Sequence, residues 1–354
     1  MFEISRVVAI VKDFLASLGE RFGLAPEIIN LIGILLSATV LIALIAVLVL
    51  VFVYAERKVS AHIQNRMGPM RVGWHGILQT LADGLKMLQK EDIMPRTADK
   101  WMWFWAPVVS FTAVLAAYVT IPFGEGAIVR DLNIGVLYVL AITTFSVIAM
   151  LMAGWGSNNK YSLLGGFRAA AQVVSYEVPL VISVLTVIMI AGSLSLVSIV
   201  DAQSGYYFGL LPKWFIFRYP PFGFVAFILF VIAGTAEVNR TPFDLPEAES
   251  ELVAGFATEY SGMKYAMFYL AEYGAMYIMA ALGAALFLGG WHGPILPSWM
   301  WFAGKSLLLI FALLWFRWTF PRLRVDQLME LSWKFLIPLA FVNMLAVGLW
   351  AVLT

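Results

Sequence analysis

Six glutamates and one aspartate fall within the 36 residues from Glu237 to Glu272, in a chain of 354 residues that is 62% hydrophobic and only 13% charged. The run reads EVNRTPFDLPEAESELVAGFATEYSGMKYAMFYLAE. A carboxylate at the centre of a bilayer costs roughly 2.5 to 3.5 kcal/mol even on a lenient insertion scale, so such groups persist where they face water or a partner, or where they move protons. Glu237, Glu259 and Glu272 bracket the run, and Asp244, Glu247, Glu249 and Glu251 lie inside it. A carboxylate series leading from an aqueous face into apolar surroundings is what stepwise proton transfer requires, because closely spaced buried carboxyls can exchange protons near neutral pH. Charge pattern alone fits a merely solvated acidic loop equally well.

Glu177 sits in SYEVPL with Pro179 two residues on. Proline removes a backbone donor and loosens the preceding turn, so a bend is expected where the carboxylate sits; a glutamate that simply reaches the interface is the plainer alternative. Glu272 follows Lys264 by eight residues, about 12 Å of helix rise, which carries it well into the apolar layer. Glu56, Arg57 and Lys58 close a long apolar run, and on spacing alone they are a helix end with snorkelling charges. Asp83 and Lys86 have the i, i+3 spacing of a surface ion pair, worth under about 1 kcal/mol.

Other chemistries are excluded. The chain has no cysteine, hence no disulfide and no cysteine-ligated cluster. His62, His75 and His292 never stand three or four residues apart, so no helix face offers a pair of imidazole ligands for haem or zinc. Gly304-Lys305-Ser306 looks like the end of a phosphate-binding loop, but Trp299 occupies the place of its first glycine. A net charge of +1, with no single basic patch interleaved with aromatics, gives no case for nucleic acid.

The elements that must position these carboxylates are membrane helices. Soluble domains carry about 25% charged residues, far above this chain. Crossing about 30 Å of hydrocarbon takes about 20 residues, and eight stretches qualify: 28–55, 101–124, 132–159, 173–192, 219–236, 265–290, 299–320 and 335–354. Lys305 and Arg317, near the ends of the seventh, are expected to snorkel to the interface. Basic residues are retained on the cytoplasmic side, and sixteen of the 23 Lys and Arg fall inside when both termini are placed outside, with the acidic run inside.

Two helices are expected to lie along the surface. Ile4, Val7, Val11, Phe14 and Leu18 form a stripe at the N-terminus, interrupted by Lys12 and Asp13 in a way that excludes a signal peptide's apolar region. In the first inside loop, Ile77, Leu78, Leu81, Leu85 and Leu88 oppose Gln79, Asp83, Lys86 and Lys90. With no internal repeat and no low-complexity linker, one all-α integral membrane domain over residues 1–354 is the economical architecture, with 1–27 as the interfacial helix and 28–354 as the eight-span part.

Four long segments carry a resemblance: AERKVSAHIQNRMGPMRVGWHGILQTLADGLKMLQKED, AGWGSNNKYSLLGGFRAAAQVVSYEV, the acidic run itself, and FPRLRVDQLMELSWK. They closely resemble the H-subunit family of the proton-pumping NADH:quinone oxidoreductase, respiratory complex I, whose mitochondrial counterpart is subunit 1. The similarity extends from about Leu31 to Trp350; the N-terminal helix and residues 201–221 match poorly, and nothing is transferred to them. The resemblance implies a subunit whose inside loops, with two peripheral subunits, build a quinone chamber reaching toward an iron–sulfur cluster in a partner.

Matched motif by motif, the resemblance places Arg57, Arg66 and Asp83 in the wall of that chamber, and Arg168 with Glu177. Arg240, Asp244, Glu247, Glu249 and Glu251 become its acidic loop. Glu177, Glu237, Glu259 and Glu272, joined by Glu56, become the carboxylates linking quinone chemistry to antiporter-like pumping subunits. No residue of this chain is then catalytic in the narrow sense, no metal is bound, and the chain acts only within the enzyme complex. Quinone is the substrate, while FMN and iron–sulfur clusters belong to partner subunits. A bacterial inner membrane, with both termini on the periplasmic side, is the implied location. The alternative is the homologous membrane anchor of a hydrogenase or formate hydrogenlyase. A stand-alone secondary transporter should show an inverted repeat and paired broken spans, and the sequence has neither.

Overall fold

The computed structural model describes residues 26–207, 211–246 and 248–353; the N-terminal interfacial helix, Glu247 and the side chain of Glu249 lie outside the described residues. Among the described residues, eight apolar helical passages lie along the chain. They are α1 (Pro26–Ile63), α3 (Lys100–Ala117), the pair α4 (Gly135–Thr143) and α5 (Phe145–Gly156), α6 (Lys160–Ala191), α8 (Phe222–Glu237), α10 (Gly262–Phe287), α11 (Ser298–Thr319), and finally α12 (Val325–Glu330), which continues through a π-helical turn, Leu331–Leu336, into α13 (Ile337–Leu353). Seven are long and apolar enough to cross a membrane; α8, at 16 residues, is the shorter eighth. Between them lie α2 (Gln79–Gln89), α7 (Leu196–Asp201) and α9 (Glu249–Leu252), with a two-residue ladder pairing Tyr206–Tyr207 to Leu211–Pro212. The chain is a multi-pass all-α membrane protein.

Local signals set the helix ends. Asp99 accepts from the N–H groups of Trp101 and Met102 at the start of α3, and Asn159 accepts from Tyr161 at the start of α6. Gly192 ends α6 at φ 70°, a left-handed conformation that only glycine adopts without strain. Three boundaries move beyond the apolar runs. α1 continues to Ile63, α6 begins at Lys160 rather than near 173, and the last passage begins at Val325 rather than 335. Glu177 therefore lies midway along a 32-residue helix, not near its end, and the helix runs unbroken through Pro179. Hydropathy finds the part of a helix that needs lipid, not the part that runs beyond it.

α10 is the hub, packed against α1, α3 and α11, and nearly every residue from Tyr273 to Phe287 is buried. A second group forms around α6, which packs on α5, α8 and α13. Apolar surface gains little by leaving lipid, so close packing and interhelical hydrogen bonds hold such bundles, the latter at roughly 0.6 kcal/mol each and up to about 1.7. Tyr118 donates to the Gly274 carbonyl at 3.1 Å, Tyr176 to Leu328 at 2.9 Å and Ser332 to Ser175 at 2.6 Å. Gly165 brings the acidic segment onto α6, since a Cβ there would lie 2.7 Å from the Phe256 nitrogen.

The bundle has an acidic end, where residues 239–261 gather, and a far end. At the far end Lys305 does not snorkel. It turns inward, donates to the carbonyls of Gly290 and His292 at 2.8 Å each, and lies 4.7 Å from the Trp214 ring. At the acidic end α2 forms where the sequence placed it, with Leu81, Leu85 and Leu88 exposed. Asp83 pairs not with Lys86 but with Arg57 of α1, at 2.5 Å, because the helix lies across the end of α1.

Candidate functional site

Arg240 stands at the centre of the charged residues. It follows α8 by three residues, its side chain is 2% exposed, and it reaches Glu56 of α1 at 3.1 Å and Glu272 of α10 at 3.0 Å. Arg317, near the end of α11, pairs with the other oxygen of Glu56. Tyr273 donates to Glu56 at 2.7 Å and offers its ring to the Arg240 guanidinium at 4.4 Å. Tyr269, one turn earlier on α10, shares a 3.2 Å hydroxyl contact with Tyr273. Three helices and one turn thus supply two carboxylates and two guanidiniums, which balance in charge.

Balance explains why the cluster tolerates burial. An unpaired buried charge is strongly destabilising, whereas mutual attraction in a low-dielectric interior offsets much of the desolvation. Burial works against the Arg240 charge, but Glu272 and Glu56 outweigh it and hold the guanidinium protonated above its already high ordinary value. Around this core, Asp244 pairs with Arg322 at 3.2 Å. Burial pushes the Asp244 carboxyl above its ordinary range, opposed only in part by Arg322 and Arg317. Beside Glu56 opens a cleft of about 200 Å³, lined by Arg57, Ser60, Arg66, Tyr269, Tyr273 and Trp318 among others. At about 30 Å³ per water it has room for several, or for part of a flat ring.

The remaining sequence candidates divide by place. Arg57 and Asp83 pair at the rim, and Arg66 lines the cleft while bonding Gln64 at 2.7 Å. Arg168 pairs not with Glu177, nine residues along the same helix, but with Glu251, tying α6 to α9. Glu259 accepts from Asn159 at the head of α6. Glu237 ends α8 and has Glu177 as its charged neighbour, whereas Glu272 lies among Arg240, Arg317, Glu56 and Asp244. The carboxylates therefore fall into separate groups around α6 and α10 rather than one file.

Sequence reasoning missed Arg317, Tyr269, Tyr273 and Arg322. Tyr269 and Tyr273 flank Glu272 at i−3 and i+1, a pattern that could have marked an aromatic wall around a carboxylate. Arg317 carried no such signal, because a cation near a helix end also suits an interface.

Residues 36–348 match the model of a family described as NADH dehydrogenase. One of two numbered H subunits of NADH-quinone oxidoreductase from Geobacter sulfurreducens is 46% identical over 352 residues, covering 93% of this chain and 97% of that protein. The chain belongs to the family of NADH-quinone oxidoreductase H subunits. Further H-subunit relatives from Dehalococcoides mccartyi and Geobacillus kaustophilus are 48% and 50% identical, over 88% and 85% of this chain and 85% and 90% of theirs. All four segments that carry the resemblance, including the turn with Arg240 and the helix with Glu272, lie within the residues matched by the family model.

Proposed function

We propose that this chain is the membrane subunit of a proton-pumping NADH:quinone oxidoreductase, that its acidic end forms much of the quinone chamber, and that its buried carboxyls couple quinone reduction to proton translocation. The observation that carries this is the Arg240 cluster opening onto the cleft beside Glu56. Arg240 keeps Nε and Nη2 without a well-directed hydrogen-bond acceptor among the described residues, although Nη2 is ion-paired to Glu272. A guanidinium so placed can answer negative charge that develops nearby, since charge interactions are strong where water is scarce.

Reducing a quinone to quinol takes two electrons and two protons. The electrons come from partner subunits that hold FMN and iron–sulfur clusters, and this chain binds none of those groups. The chain's own residues orient and electrostatically bias the chamber. A change of charge near Glu56 alters what Arg240 and Arg317 must balance, and Glu272 on the far side of Arg240 takes up the difference. Glu177, Glu237 and Glu259 extend the response toward antiporter-like membrane subunits. Peripheral quinone-site subunits cover the acidic end, which faces the cytoplasm of a bacterial inner membrane.

The test is the assembled complex in proteoliposomes. Glu56→Gln and Arg240→Gln should each impair quinone reduction and proton uptake together while the clusters of the partner subunits remain reducible by NADH. Wild-type quinone turnover and pumping ratio in both variants would reject the reading.

A further inference from the structure

Gln172 of α6 is 1% exposed, and its Nε2 donates to the Ala236 carbonyl at 2.8 Å and to Asn239 Oδ1 at 3.0 Å. The Ala236 contact fixes the amide orientation, because a backbone carbonyl only accepts and a flipped amide would set oxygen against oxygen. Both amide hydrogens are thereby used on the end of α8. That end turns sharply. Asn239 has φ 53°, and its N–H and that of Arg240 return to the carbonyls of Ala236 and Thr235. Gln172 thus secures the turn that delivers Arg240 into its cluster and fixes Glu237 one residue past the gripped carbonyl.

The opposite side of the amide has no such partner. Gln172 Oε1 is buried with no hydrogen bond, and so is Glu237 Oε2. Glu237 also turns toward α6, since Glu177 of that helix is its charged neighbour. Two orphaned polar atoms in one seam would each cost about 1 to 3 kcal/mol, which natural interiors avoid. A buried water satisfies such groups when two to four polar partners surround it.

Resting on the coupling role proposed above, we propose that Gln172 is a positioning residue for Glu237, its amide oxygen joined to the Glu237 carboxyl by a single buried water in the seam between α6 and α8. The amide nitrogen anchors the turn while the oxygen orders the water, so one side chain sets both the place of the carboxyl and the first hydrogen bond along which its proton exchanges. Gln172 itself changes neither charge nor covalent bonding.

The assembled complex carries the test through a double-mutant cycle. Gln172→Met, of similar volume but with no amide, should assemble, keep the KM for quinone within about twofold and lose about tenfold in turnover coupled to pumping, as Glu237→Gln does. The combined variant should be no worse than either single one, because both remove the same water-mediated link. A high-resolution map of the wild-type complex should place one ordered water within hydrogen-bond reach of both atoms. Losses that multiply in the combined variant, or direct packing with no water between the two atoms, overturn the inference. So does failure of both Gln172→Met and Gln172→Leu to assemble, which would make Gln172 structural only. If wild-type complex reduces quinone without pumping, the coupling reading fails, whereas multiplying losses with pumping intact sink only the role of Gln172.

Discussion

Arg240 and Glu56 are 184 residues apart in sequence and 3.1 Å apart in space. The pair joins the first helix to the turn after α8, and Glu272 closes it from the other side. Helices α1 and α10, which both line the cleft, are therefore braced through a single guanidinium.

Arg240→Met should be the most damaging of the single changes. It strands Glu56 and Glu272 in a buried site, and breaking a buried ion pair from one side costs about 3 to 5 kcal/mol. The expected outcome is a sharp loss of assembled complex on native gels. Restoring charge balance with Glu272→Gln in the same chain should recover part of the yield. No recovery would show that the arginine is needed for its shape rather than its charge.

Glu272 and Glu251 should separate cleanly. Glu272 sits 18% exposed in the charged core, while Glu251 is half exposed in its pair with Arg168. An exposed pair is worth about 0.2 to 1 kcal/mol, so Glu251→Gln should leave the melting temperature nearly unchanged and act chiefly on the KM for quinone. Glu272→Gln should assemble, yet lose proton pumping together with coupled turnover, as measured by pH-dye quenching in proteoliposomes. Normal pumping by Glu272→Gln would remove that carboxyl from the relay.

The pH dependence of Asp244 has a defined sign. Its carboxyl is raised above 3.8 in the folded chain, so folding holds its proton more tightly than the unfolded chain does. That contribution is complete below the unfolded pKa and is lost as pH rises through the folded one. Asp244→Asn, which never ionises, should therefore gain in melting temperature relative to wild type as pH rises through that window. A difference between the two that stays constant with pH would contradict the shift.

Orientation can be read chemically because the natural chain has no cysteine. Ile295, at the far end, is 88% exposed. An impermeant maleimide should label Ile295→Cys in intact cells. Labelling only after permeabilisation would reverse the proposed topology.

The sequence showed the helical passages and the acidic run because both are matters of composition, and it showed the amphipathic α2 because five leucines and isoleucines recur at helical spacing. It did not show which cation meets which anion. Arg317 and Lys305 were expected to reach outward, as terminal cations in lipid usually do. In the fold Glu56 offers Arg317 a closer partner than headgroups, and two backbone carbonyls do the same for Lys305. Asp83 met Arg57 rather than Lys86 for the same reason, since spacing along one helix says nothing of a second helix lying across it. Gln172 was silent in sequence, as an uncharged amide in an apolar run carries no period or motif.

The two inward-turned cations of α11 have a mechanical meaning. Lys305 and Arg317 are twelve residues apart, about 18 Å of helix rise, and each is fastened to a different part of the chain. A rod tethered at both ends can roll about its long axis but cannot slide, because a piston stroke in either direction would tear one fastening. Whatever happens beside Glu56 must then leave α11 as torsion or as a local exchange of side-chain partners.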